Sequence, residues 1–174
     1  MHDKVFSHRD AHKLDDPERL AWLPPADVID ALGLTAGMTV VDIGAGTGYF
    51  AFPLARAVGA AGKVWAIDLQ PEMLDKLRAK LLKDAAPNVD LVLGDATATS
   101  LGSRCADVVL MANLFHELPD VAAALRESAR ILRAKGRLAI VDWRPDVERP
   151  PGPPIEHRVT LARVAEELSA NGWS

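Results

Sequence analysis

VVDIGAGTGYF, residues 40–50, ends an apolar run in an acid and then places glycine at three alternate positions. Glycine loses more conformational freedom on folding than any other residue, so three in five positions predict a turn that must reach φ > 0, or a backbone that a ligand approaches closely. The flanks say where the turn lies. TVVDIG reads as a buried strand, and GYFAFPLARAVG as a helix ending at Gly59. The glycines therefore fall in a strand-to-helix turn.

The same rhythm continues outward. KVWAIDL is a second strand, and PEMLDKLRAKLLKDA is a helix opened by Pro71, with Met73, Leu74, Leu77, Leu81 and Leu82 at helical spacing. VDLVLGD and ADVVLMANLF are strands three and four. LPDVAAALRESARILRAKG is a long helix whose basic end suits its dipole, and GRLAIVDW is strand five. Apolar strands alternating with helices predict an α/β fold with a doubly wound, mainly parallel sheet covered on both faces. Before it, Pro25 opens a short helix with Val28, Ile29 and Leu32 on one face and Gly33 as its stop. DATATSLGSRCAD reads as a loop, and RPDVERPPGPPIEH as a stiff, non-helical connection into a final helix, TLARVAEELSANG. The expected organisation is one domain over 1–174: an arm and cap helix (1–33), a core (34–143), then the proline-rich connection and last helix (144–174).

Composition bounds the function. Of 174 residues, 49% are apolar and 25% charged, an ordinary globular balance, and the net charge of −4 argues against a sequence-independent nucleic-acid binder. The single cysteine, Cys105, excludes an intrachain disulfide framework and fits a reducing cytosol. The first twenty residues carry no apolar core, and no stretch approaches the roughly 20 residues of a membrane helix. A cytoplasmic protein with no membrane partner is expected.

In a doubly wound sheet, ligands bind outside the carboxyl ends of the strands, at the first strand–helix turn. Here Gly44, Gly46 and Gly48 occupy that turn. The spacing is GxGxG with Tyr49 where a dinucleotide fingerprint would place its third glycine, and no GxxxxGK[ST] occurs. Asp42 stands two residues before the first glycine, where a carboxylate would repel a pyrophosphate and attract a cation. Asp68 ends strand two, placed to accept from both hydroxyls of a ribose, and Asp95 follows strand three, placed to accept from an exocyclic amine. An adenosine carrying a positively charged amino-acid tail satisfies all three.

These segments resemble the class I S-adenosylmethionine-dependent methyltransferases from about Leu20 to Ser174: VVDIGAGTGYF the first motif, AIDLQPEML the second-strand acid, LGDA the adenine-binding motif. The small-molecule branch that includes the quinone-biosynthesis methyltransferases is similar more loosely. The resemblance implies a Rossmann-like sheet of strand order 3-2-1-4-5, S-adenosyl-L-methionine as cofactor and a small-molecule methyl acceptor. It implies that Gly44, Gly46 and Gly48 pass close to the methionine moiety while Asp42 faces its amino group. Asp68 would hold the ribose with Leu69 against the adenine ring. Asp95 would bond the adenine amine and the Ala96 amide a ring nitrogen, and Asn113 would border the methionine tail. Each has a plainer alternative: helix–strand packing for Gly46 or Gly48, helix capping for Asp68 and Asp95, a turn for Asn113.

Methyl transfer needs a general base only when the acceptor must lose a proton. His116 is the histidine expected near the pocket, the alternative being a helix cap or a backbone hydrogen bond. His8 and His12 share i, i+4 spacing in the polar arm, but no metal site is expected. The family sheet usually has seven strands. This chain stops at EELSANGWS, so strands six and seven are expected to be missing, leaving strand five as an edge open to self-association. Two other functions compete: an NAD(P)-dependent oxidoreductase, and a non-catalytic S-adenosylmethionine-binding module.

Overall fold

The computed structural model describes residues 5–84, 86–147 and 152–173. Five strands, β1 (Thr39–Ile43), β2 (Lys63–Asp68), β3 (Val89–Leu93), β4 (Ala106–Ala112) and β5 (Leu132–Val141), form one sheet in the order β3-β2-β1-β4-β5. Every pairing is parallel. Six helices accompany them: α1 (Arg19–Trp22), α2 (Pro25–Leu32), α3 (Ala51–Val58), α4 (Pro71–Asp84), α5 (Val121–Ile131) and α6 (Leu161–Ala170).

The continuous apolar strands follow from cover on both faces. Along β1, Val40 packs with Val64, Val108, Leu54, Val58 and Leu77 on the side of α3 and α4. Val41 and Ile43 turn to the opposite side, against Ile67, Val109, Met111 and the α5 residues Ala124 and Ile131. A smaller cluster, in which Phe115, Leu125 and Val159 are buried, receives Val164 and Leu168 of α6 and Leu138 and Ile140 of β5. Local signals set the helix ends. Pro25 and Pro71 open α2 and α4. Asp120 caps α5 by accepting from the Ala123 amide at 2.8 Å, and Thr160 caps α6 by accepting from Arg163 at 3.1 Å.

Several boundaries differ from the sequence reading. The helix after the glycine turn begins at Ala51 rather than Gly48, because Gly48 has φ +92°. The helix expected to run through residue 136 stops at Ile131, and β5 starts at once at Leu132. Leu132 pairs with Ala106, the ladder is irregular between Ala106 and Val108, and Lys135 takes φ +71° within it. The basic residues of LRAKG therefore do not sit on a helix end: Arg133 pairs with Asp107. Leu82, expected on the apolar face of α4, is 84% exposed. The polar arm is ordered as a 3-10 helix over His8–Asp15, capped by Ser7. The proline-rich segment contains one 3-10 turn, Ile155–His157, with 148–151 outside the described residues. Among the described residues β5 pairs with β4 alone and forms a sheet edge.

Candidate active site

The carboxyl ends of the strands open onto a cavity of about 830 Å³. Its floor holds Asp42 and Ile43 from β1, Asp68 from β2, Gly94 to Ala96 after β3, Ala112 and Asn113 from the end of β4, and Trp143 beyond β5. Parallel topology brings these together, since each lies within a few residues of the carboxyl end of its strand. A second hollow of about 440 Å³, at the other end of the sheet beside Asp107 and Arg137, contains none of the expected site residues.

Asp42 is 1% exposed, and its Oδ2 is buried without a hydrogen-bond partner among the described residues. Burial, and secondarily the neighbouring Asp68 carboxylate, push its pKa up to about 7. An unpaired buried carboxylate is costly, and a cation placed against it would relieve that cost. Asp68 has partners: Gly46 N–H donates to Oδ2 at 2.8 Å and Gln70 N–H to Oδ1 at 2.9 Å. Burial raises its pKa, and the amides of Gln70, Gly46 and Leu69 oppose that rise. Neither bond reaches an amide of α4, which begins at Pro71, so the alternative of a helix cap does not describe Asp68. Asp68 ties together two turns, and each oxygen keeps lone-pair capacity for a ligand.

Gly44 and Gly46 line the cavity with the intervening Ala45, whereas Gly48 stands outside the lining. A Cβ at Gly46, where φ is +54°, would come within 3.0 Å of Leu14 Cδ1 in the arm. A Cβ at Gly48 would collide with Leu77 Cδ1 of α4 and crowd Phe52 of α3, so that glycine lets the turn pack closely against the two helices. Leu69, 54% exposed, lies on the cavity wall. Asp95 caps no helix: its Oδ1 accepts from Thr97 N at 2.7 Å and from Thr97 Oγ1 at 2.6 Å, holding the turn that presents Ala96. Asn113 adopts φ +55° and donates its amide to Val141 O at 2.7 Å, which aims the chain after β4 into the cavity.

His116 lies in a 3-10 turn, Phe115–Glu117, with its side chain 5% exposed. It caps no helix, that position belonging to Asp120. Its ring meets a side chain: Nδ1 is 2.7 Å from Asp142 Oδ1, and the His116 amide donates to Asp142 Oδ2 at 3.0 Å. Asp142 directly follows the last residue of β5, at the same end of the sheet as the other acids, and that position was its overlooked signal.

The arm forms the roof. Phe6 N–H donates to Glu117 Oε2 at 3.0 Å, and Phe6 O accepts from Gln70 Nε2 at 2.7 Å. Gln70 Oε1 accepts the His8 amide at 3.0 Å, while His12 is exposed; no group of three potential metal ligands occurs among the described residues. Asp15 accepts from Thr47 Oγ1 at 2.6 Å and from Lys80. Arg19, 6% exposed, stacks over Tyr49 at 3.9 Å and donates to Leu14 O at 2.7 Å. Trp22 meets Trp143 with ring centroids 4.8 Å apart, and both line the cavity. The hydrogen bonds from Asp15 to Thr47 and from Phe6 to Glu117 span 32 and 111 residues, beyond the reach of local pattern.

Residues 40–136 match the family described as "Methyltransferase domain". A crystal structure of an S-adenosylmethionine-dependent methyltransferase from Aquifex aeolicus is 36% identical, with a TM-score of 0.92, covering 97% of this chain and 89% of that one. The chain belongs to the class I S-adenosylmethionine-dependent methyltransferases. An uncharacterized methyltransferase of Mycobacterium tuberculosis is 38% identical over 157 residues, covering 83% of this chain and 57% of that protein. The demethylmenaquinone methyltransferase of Lactococcus lactis is 31% identical over 117 residues, 67% of this methyltransferase and 46% of the relative. The chain thus spans about half the length of these two relatives. No described helix is long and apolar enough to cross a membrane.

Proposed function

We propose that this chain transfers a methyl group from S-adenosyl-L-methionine to a small-molecule acceptor in the cavity beneath the arm. The observation that carries it is the buried, unpartnered Oδ2 of Asp42 beside the Gly44–Gly46 turn, an arrangement that favours a cationic ligand and disfavours a pyrophosphate. Asp42 takes the ammonium of the methionine tail, the Asp68 oxygens take the ribose hydroxyls, and Leu69 lies against the adenine. Asp95 and the Ala96 amide read the edge of the base. When bound, the cofactor supplies a methyl on a positively charged sulfur whose leaving group is a neutral thioether. The protein's own tasks are orientation and exclusion of water. The glycine turn fixes the tail, Asn113 and His116 border the acceptor space, and the arm covers both. The named relative from Lactococcus lactis acts on demethylmenaquinone, a small molecule, which supports an acceptor of that size. The test is incubation with methyl-labelled S-adenosylmethionine and a small-molecule library. Label should pass to a low-molecular-weight product, with S-adenosylhomocysteine formed in equal amount. Labelling of protein or nucleic acid alone would contradict the proposal.

A further inference from the structure

The carboxylate of Asp142 has both oxygens occupied by donors. Oδ2 accepts the His116 amide at 3.0 Å, and Oδ1 accepts the Trp143 amide at 2.7 Å as well as lying 2.7 Å from His116 Nδ1. An oxygen that accepts backbone N–H groups meets a ring nitrogen at that distance when the nitrogen carries the proton. In the neutral imidazole Nε2 then keeps its lone pair. The Nε2 side faces Glu117, whose Oε1 is 3.6 Å away, beyond hydrogen-bonding distance, and whose Oε2 is held by the Phe6 amide. His116 and Asp142 are 5% and 3% exposed at the side chain, so the pair is rigid, and His116 and Glu117 both line the cavity. Three aromatic side chains also line the cavity: Trp143 and Trp22 in mutual contact, and Phe6 from the arm.

From this geometry we infer that His116 is the proton acceptor of the reaction, that Asp142 is its positioning residue, and that the acceptor is a planar phenol or enol that must lose its hydroxyl proton. The inference rests on the proposed methyl transfer. The hydroxyl proton passes to His116 Nε2. The electron pair released on the acceptor forms the new bond to the methyl carbon, from oxygen or from the carbon conjugated with it. The carbon–sulfur pair stays on sulfur, which becomes a neutral thioether, and the proton on His116 leaves to solvent. Asp142 stabilises the imidazolium formed, as an orienting carboxylate does in other histidine-dependent catalysts.

Two measurements test this. Nitrogen NMR of the unmodified protein at about pH 8, where an ordinary histidine is neutral, reads the tautomer of His116 without any turnover. Protonated Nδ1 with unprotonated Nε2 is expected, and the opposite tautomer overturns the inference. Turnover is then measured with S-adenosylmethionine and substituted phenols of graded acidity, for the native chain and for Asp142→Asn, which reverses the ring's hydrogen-bond demand. Phenols still protonated at the assay pH should lose about 10²–10⁴-fold in kcat, and 4-nitrophenol, already ionised, only a few-fold. Equal loss across the series, no loss, or a native chain that binds S-adenosylmethionine yet methylates none of these phenols overturns it. Failure to bind S-adenosylmethionine would instead sink the proposed function, and is read separately by calorimetry.

Discussion

The Gly46 amide donates to Asp68 Oδ2 across 2.8 Å, joining the glycine turn after β1 to the acid that ends β2. The bond makes the two cavity-lining elements one unit, with Gln70 held from the other oxygen at 2.9 Å. Structural and ligand-binding roles therefore cannot be separated by deleting the side chain. Asp68→Ala should lower stability by about 1–3 kcal/mol through two orphaned amides, and weaken S-adenosylhomocysteine at least roughly ten-fold. Thermal unfolding and calorimetry on the same preparation read both effects. A loss confined to stability would remove Asp68 from the ribose site.

Asp42 should make cofactor binding pH-dependent. Its pKa is raised to about 7 in the free chain, first by burial and then by Asp68. A raised carboxyl pKa gives stability that is full below the unfolded value near 3.8 and is lost as pH rises through about 7. A cation bound against Asp42 favours its ionised form, so binding below pH 7 should release up to about one proton. Calorimetry at about pH 6 in buffers of different ionisation enthalpy checks this. Asp42→Asn should abolish the proton release, weaken binding, and stabilise the ligand-free protein above pH 7. Proton release unchanged in Asp42→Asn would place the titrating group elsewhere.

Gly46 and Gly48 should respond differently to alanine. Both have positive φ, which costs roughly 1–2 kcal/mol for an L side chain. At Gly48 the added Cβ also drives into Leu77, so overpacking adds about 1–3 kcal/mol and the main effect is a lowered melting temperature. At Gly46 the neighbour is Leu14 of the arm, which can move, so the larger effect should be on ligand affinity. Similar affinity losses in the two variants would contradict the division of roles.

The arm is held by few bonds and should open without global unfolding. Asp15 links Thr47 Oγ1 and Lys80 to the 3-10 helix. Asp15→Ala should speed amide exchange over residues 8–16 while leaving β1 and β4 protected. It should also raise the dissociation rate of S-adenosylhomocysteine several-fold. Unchanged exchange in the arm would mean that Phe6, Gln70 and Glu117 alone secure it.

Much of this was readable from the chain because parallel α/β folds write their plan locally. Apolar runs, helix-opening prolines and a glycine turn predicted five parallel strands alternating with helices, the family resemblance supplied their order, and Asp42, Asp68 and Asp95 fall on one cavity because parallel strands all end on the same side. The boundary between α5 and β5 was not legible. LRAKG has a helix-end composition, and only its pairing across to Ala106 and Asp107 makes it extended. The arm was illegible for a different reason: its 3-10 helix, His8–Asp15, buries Ala11 alone, and its order comes from hydrogen bonds to partners far along the sequence. His116 could be named, but its partner could not, because Asp142 reaches it from the next strand, 26 residues on.

The central claim is that the cavity selects an adenosine bearing a cationic tail over a dinucleotide, and side-by-side calorimetry with S-adenosylmethionine, S-adenosylhomocysteine and NAD tests it most directly. Both sulfur compounds should bind, with NAD at least roughly a hundred-fold weaker, a difference of about 2.7 kcal/mol. NAD binding as tightly as S-adenosylhomocysteine would contradict it.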